Sequence, residues 1–107
     1  MRKYSTENLG ENCGICGLGD GPLKVARAMT DKILDKETFH YHPNGWEYYL
    51  FISGKATMKI GKNLIAAEKG DMIVIEPGEP HIIVEVKEKA DYVVFNTNPD
   101  PKDKVVL

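Results

Sequence analysis

From Leu23 onward the chain is a succession of short apolar runs, each closed by a tight-turn signal. No other feature restricts its fold as much. The runs are LKVARAMT, KILDKETFHYH, WEYYLFISG, KATMKIG, NLIAAEKG, DMIVIE, HIIVEVKE and ADYVVFN. Such spacing suits an all-β sandwich or barrel, because each run is long enough for one strand and too short for a stable helix. The cuts fall at Pro43-Asn44-Gly45, Ser53-Gly54-Lys55, Gly61-Lys62-Asn63, Lys69-Gly70-Asp71 and Pro77-Gly78-Glu79-Pro80, each with the Gly, Pro, Asn or Asp that a reversal needs. The best helical alternative, LKVARAMTDKILDK, fits a helical period only loosely, and Val25 and Thr30 favour a strand.

With 107 residues, 42% of them apolar, the chain has enough side chains for one core and too few for two. We expect a glycine-rich arm over 1–22, a folded barrel over 23–97 and a tail over 98–107 carrying two prolines and alternating charge. A formal net charge of −2, with the fourteen Lys and Arg scattered along the chain, argues against nucleic acid as a partner. The longest apolar run, Tyr48 to Ile52, is far too short to span a bilayer, and no apolar stretch follows the basic N-terminus as in a secretory signal. Together with only two cysteines, this leads us to expect a cytoplasmic protein.

The chemistry concentrates at HYHPNGWE, His40 to Glu47. In a strand, side chains i and i+2 share a face, so His40 and His42 point the same way. Pro43 disfavours helix for the residue before it and keeps His42 extended. The following turn can bring Glu47 back beside the imidazoles. His81, the one remaining histidine, opens a strand directly after the second Pro-Gly turn. By itself, an HxH more often marks hydrogen-bonded polar residues beside turns. Three imidazoles and a carboxylate nevertheless make a usual donor set for a divalent transition metal (Fe, Mn, Ni or Zn), filling four of six octahedral positions and leaving two for water or substrate.

These segments resemble the two motifs of the cupin superfamily. His40, His42, Glu47 and Gly54 fall in register with the first motif, and Gly70, Gly78 and His81 with the second. Glu76 replaces the proline common in the second motif, and Glu85 its usual asparagine. The resemblance implies a single-domain jelly-roll β-barrel, often a homodimer, with His40, His42, Glu47 and His81 holding a metal inside it. It also implies a small metal-dependent enzyme of isomerase or dioxygenase type acting on a small oxygen-rich substrate; a net charge near +1 from three neutral imidazoles, one carboxylate and a divalent ion favours an anionic or bidentate oxygen ligand. The alternative is a non-catalytic module that binds or senses a small molecule.

Beyond the ligands, Tyr49 and Phe51 alternate onto Glu47's face, which makes Tyr49 a candidate pocket residue. Glu85, on the His81 and Ile83 face, is a candidate general base. Cys13 and Cys16 form one C-x-x-C; a closed tetrahedral site needs two such pairs, and a thioredoxin-like reading lacks the flanking strand and helix. Gly17, Gly19 and Gly21 lack the lysine and the helix of a phosphate-binding loop.

Overall fold

The computed structural model describes residues 1, 3, 21–34 and 37–107. Cys13, Cys16, Gly17 and Gly19 lie outside them. Among the described residues seven strands follow in order: β1 (Lys24–Thr30), β2 (His40–Tyr41), β3 (Glu47–Ile60), β4 (Asn63–Glu68), β5 (Met72–Ile75), β6 (His81–Asn96) and β7 (Val105–Val106). All pairings are antiparallel within one seven-stranded sheet, and the described residues contain no helix. The architecture is the expected all-β jelly-roll barrel.

Two long strands carry the barrel. β3 and β6 pair along nearly their whole lengths, and each serves two sets of neighbours: β5 and β1 flank their outer ends at 47–50 and 90–96, while β4 flanks the 55–60 half of β3. The sequence suggests a reversal at Ser53-Gly54-Lys55, but the chain continues through it as a bent strand with register shifts on either side. Gly54 has φ of 84°, and a Cβ there would run into the carbonyl of Lys89 and the Cα of Ala90. Glycine therefore bends β3 instead of turning it back, since only a residue without Cβ lets the two backbones approach so closely. For the same reason HIIVEVKE and ADYVVFN, which read as two strands, are the two halves of β6. Genuine turns occur at Gly61, Gly70 and Gly78, all with positive φ.

The core is lined by Phe51, Met58, Ile75, Ile83, Ala90 and Tyr92, with Ala26 and Ala28 of β1 packed beneath them. Alternation along β1 and β3 delivers these side chains inward. From KILDKETFHYH only His40–Tyr41 is paired as strand among the described residues. The C-terminal segment, expected to be a tail on the barrel or on a neighbour, is part of the sheet: His40 pairs with Val106 and Tyr41 with Val105, and Leu107 N–H donates to the Phe39 carbonyl at 2.9 Å.

Candidate metal centre

Strand pairing brings the two histidine segments together. His40 on β2 lies opposite His81 at the start of β6, and Gly78 N–H, in the turn before His81, donates to the His42 carbonyl at 2.9 Å. Glu47 opens β3 immediately after the 43–45 turn, with Asn96 of β6 opposite it. His40, Glu47 and His81 are buried, and His42 is half-buried. The four candidate donor atoms lie within 4.8 Å of one another.

The tautomers follow from the hydrogen bonds. Nδ1 of His40 meets the Thr38 carbonyl at 2.6 Å, that of His42 the Asp103 carbonyl at 2.7 Å, and that of His81 the Glu79 carbonyl at 3.0 Å. A carbonyl oxygen only accepts, so each Nδ1 carries hydrogen, and each neutral imidazole presents the Nε2 lone pair. Nε2 of His81 lies 3.1 Å from Glu47 Oε1, and Nε2 of His42 lies 2.9 Å from Oε2. Two lone pairs facing a carboxylate at such distances repel unless a positive charge stands among them. His42 Nε2 is moreover buried without a hydrogen-bond partner of acceptable geometry. An orphaned, inward-facing nitrogen among these donors fits a metal cation, and His40, His42, Glu47 and His81 are the residues that would hold it.

Electrostatics agree. Burial alone would push Glu47 upward, but the imidazoles of His42 and His81 hold its carboxyl well below the usual range. Burial lowers His42, while its contact with Glu47 outweighs that and raises it. Burial lowers His40 to about 4, so it stays neutral and able to ligate throughout the neutral range. Glu47 is further steadied by Asn96, whose Nδ2 donates to Oε2 at 2.9 Å.

Tyr49 lies beside this cluster, its ring 6.0 Å from that of His81 and stacked on Tyr92 at 5.9 Å. Burial, then the charge of Glu47, raise its hydroxyl well above the ordinary value, so it stays protonated. Glu85 is not brought to the site. It is exposed, 3.7 Å from Lys87 Nζ, and about 13 Å along the strand from His81. Between the pairs Met58–Ile83 and Thr57–Glu85 the register shifts by one residue on β6, which breaks the alternation and turns Glu85 outward.

Sequence reasoning passed over Glu37. Its carboxylate accepts from Ile83 N–H at 3.0 Å, and burial, the largest influence, raises its pKa. The same group helps raise Tyr92, behind burial. Asp103 was missed as well. It is buried, its carboxylate accepts from Asn44 N–H, Asn44 Nδ2 and Gly45 N–H, and its carbonyl holds His42. Nothing in the local pattern around either residue marks it, because both partners lie far away in sequence.

Comparison with known proteins agrees with this geometry. The cupin domain family matches residues 34–96, and the chain belongs to that family. A solved structure of Pac13, described as a nucleoside dehydratase, superposes with a TM-score of 0.74 at 16% identity over 100% of this chain and 91% of that one. A Streptomyces Pac13 variant with uridine gives 0.71 at 17% over 100% and 92%. A cupin protein from Bacteroides fragilis gives 0.65 at 18% over 90% and 85%. At these identities the likeness is one of fold. An oxidoreductase of Arthrobotrys oligospora is 37% identical over 59 residues, 52% of this chain and 23% of that protein, so the chain spans about a quarter of that relative's length.

Proposed function

We propose that this cupin is a small metal-dependent enzyme, of isomerase or dioxygenase type, acting on a small oxygen-rich substrate. The observation that carries the reading is the convergence of three imidazoles, each with Nδ1–H tied to a backbone carbonyl, on one buried carboxylate within 4.8 Å. When bound, a divalent metal there supplies Lewis acidity toward a carbonyl or hydroxyl oxygen. Three neutral imidazoles and one carboxylate leave such a site with a net charge near +1 in this reading, which favours an anionic or bidentate oxygen ligand.

The chain's own residues supply the rest. Tyr49, held protonated, is positioned to donate a hydrogen bond to substrate oxygen beside the ligands. Glu37 replaces Glu85 as the carboxyl suited to proton transfer, since it is half-buried and its charge acts on Tyr49 and Tyr92. A nucleoside dehydratase and an oxidoreductase among the similar proteins agree with chemistry on oxygen-bearing small molecules. The compartment we propose is the cytoplasm. The assembly we propose is a homodimer, supported by an apolar outer face of Tyr48, Leu50, Met72, Val74, Val93 and Phe95 on paired strands; sedimentation of the purified chain tests it.

Elemental analysis of untagged protein, beside a His42→Ala variant, tests the central reading. One transition metal per chain, lost in the variant, supports it. Equal trace metal in both removes it. Turnover of an oxygen-rich substrate that also disappears in Tyr49→Phe separates an enzyme from a module that only binds.

A further inference from the structure

The segment after β6 is organised as a relay of side chains capping backbone. Asn96 Oδ1 accepts from Asn98 N–H at 2.8 Å, Asn98 Oδ1 from Asp100 N–H at 3.1 Å, and Asp100 Oδ1 from Lys102 N–H at 2.9 Å. Asp103 N–H then returns to the Asp100 carbonyl at 3.0 Å. Each such Asx turn fixes the two residues that follow it. Both ends of the relay reach the metal centre. At one end Asn96 Nδ2 holds Glu47 Oε2. At the other, the Asp103 carbonyl holds His42 Nδ1–H at 2.7 Å, and its carboxylate gathers Asn44 N–H at 2.9 Å, Asn44 Nδ2 at 3.1 Å and Gly45 N–H at 2.8 Å.

Gly45 makes this packing possible. A Cβ there would collide with Asn96 Oδ1 and press on Asp103 Oδ2. Asp103 is 7% exposed, and its carboxylate is engaged by these N–H groups. The turn linking His42 to Glu47 would otherwise be a short surface loop whose two ends carry two ligands. Asp103 pins it from outside the ligand set.

We infer that Asp103 is a positioning residue for the metal centre, setting the ring orientation of His42 and the spacing between His42 and Glu47 and thereby the affinity for a divalent metal. This deepens the metal reading and rests on it. Outer partners of this kind commonly govern affinity by about 10–100-fold, because a ligand free to rotate must be ordered on binding.

The test uses the full chain and cobalt(II), in competition with a chromophoric chelator. Asp103→Ala should bind cobalt about 10–100-fold more weakly and show an altered d–d spectrum. Asp103→Asn, which keeps one acceptor oxygen, should fall between it and the wild type. Gly54→Ala serves as a control that destabilises the barrel at its bend without touching the ligand turn. It should melt earlier yet bind cobalt as the wild type does. In the metal-free protein, the Nδ1–H proton resonance of His42 should broaden or vanish in Asp103→Ala while those of His40 and His81 persist. Wild-type affinity in both Asp103 variants, or an equal loss in Gly54→Ala, overturns the inference. A wild-type chain that takes up no cobalt overturns the metal reading itself, and is recognised by its failure before any variant is compared.

Discussion

The His42 ring nitrogen and the carbonyl of Asp103 are 61 residues apart in sequence and 2.7 Å apart in space. With the bonds from Asn44 and Gly45 to the Asp103 carboxylate, that contact joins the ligand turn to the C-terminal segment, and it selects the tautomer in which His42 turns its lone pair toward Glu47. The ligand cluster is thus completed by chain that lies beyond the last residue matched by the cupin domain family.

Glu47 is the carboxylate that the Nε2 atoms of His42 and His81 face, at 2.9 and 3.1 Å. Glu47→Ala should leave Asn96 Nδ2 without its acceptor and His42 without its counter-charge, destabilising the metal-free protein by about 1–3 kcal/mol in urea unfolding. Stoichiometric metal should be lost in the same variant. Unchanged metal content would remove Glu47 from the ligand set.

Acid should weaken the metal-free protein before its carboxylates titrate. His40 is lowered from 6.5 to about 4, chiefly by burial, so the unfolded chain binds its proton first as pH falls. The stability it contributes is full above pH 6.5 and is lost as pH falls to about 4, on the order of 3 kcal/mol for that gap. Glu47, lowered from 4.5, adds its own loss only below pH 4.5. Denaturation midpoints of wild type and His40→Asn between pH 7 and 5 check this: the variant should show the shallower slope.

Glu37 should behave in the opposite sense. Its raised pKa means that the folded state holds the proton more tightly, so its contribution to stability is full below pH 4.5 and is lost as pH rises through the folded value. Glu37→Gln keeps an oxygen for Ile83 N–H and carries no charge. It should therefore gain stability over wild type toward pH 8, the difference shrinking toward pH 4. A variant less stable than wild type at pH 8 would show that Glu37 is held there as a needed anion.

Gly54→Ala should cost about 2–4 kcal/mol, because the added methyl meets the backbone of β6 and the positive φ disfavours any side chain. Thermal melting measures it. By contrast Glu85→Gln should stay within about 0.5 kcal/mol of wild type and retain full metal, as an exposed strand residue does. Loss of metal in Glu85→Gln would return that residue to the site.

Pattern alone determined a good deal. Alternating apolar runs of strand length with Gly and Pro between them admit an all-β chain and little else, since period and turn chemistry are local properties. The i, i+2 spacing put His40 and His42 on one face, the turns beside them made Glu47 and His81 candidates, and the resemblance joined all four as one ligand set. Tertiary structure decided what depended on distant neighbours. Whether Gly54 turned the chain or bent it was settled by the closeness of Lys89 and Ala90. Whether Glu85 faced inward depended on a register shift against β3, which no alternation count within β6 contains. Glu37 and Asp103 are tied into the fold by Ile83 and His42, residues 46 and 61 positions away. A strand's own residues choose its two faces, but hydrogen-bond partners across the barrel choose which of them converge in the interior and which are left to solvent.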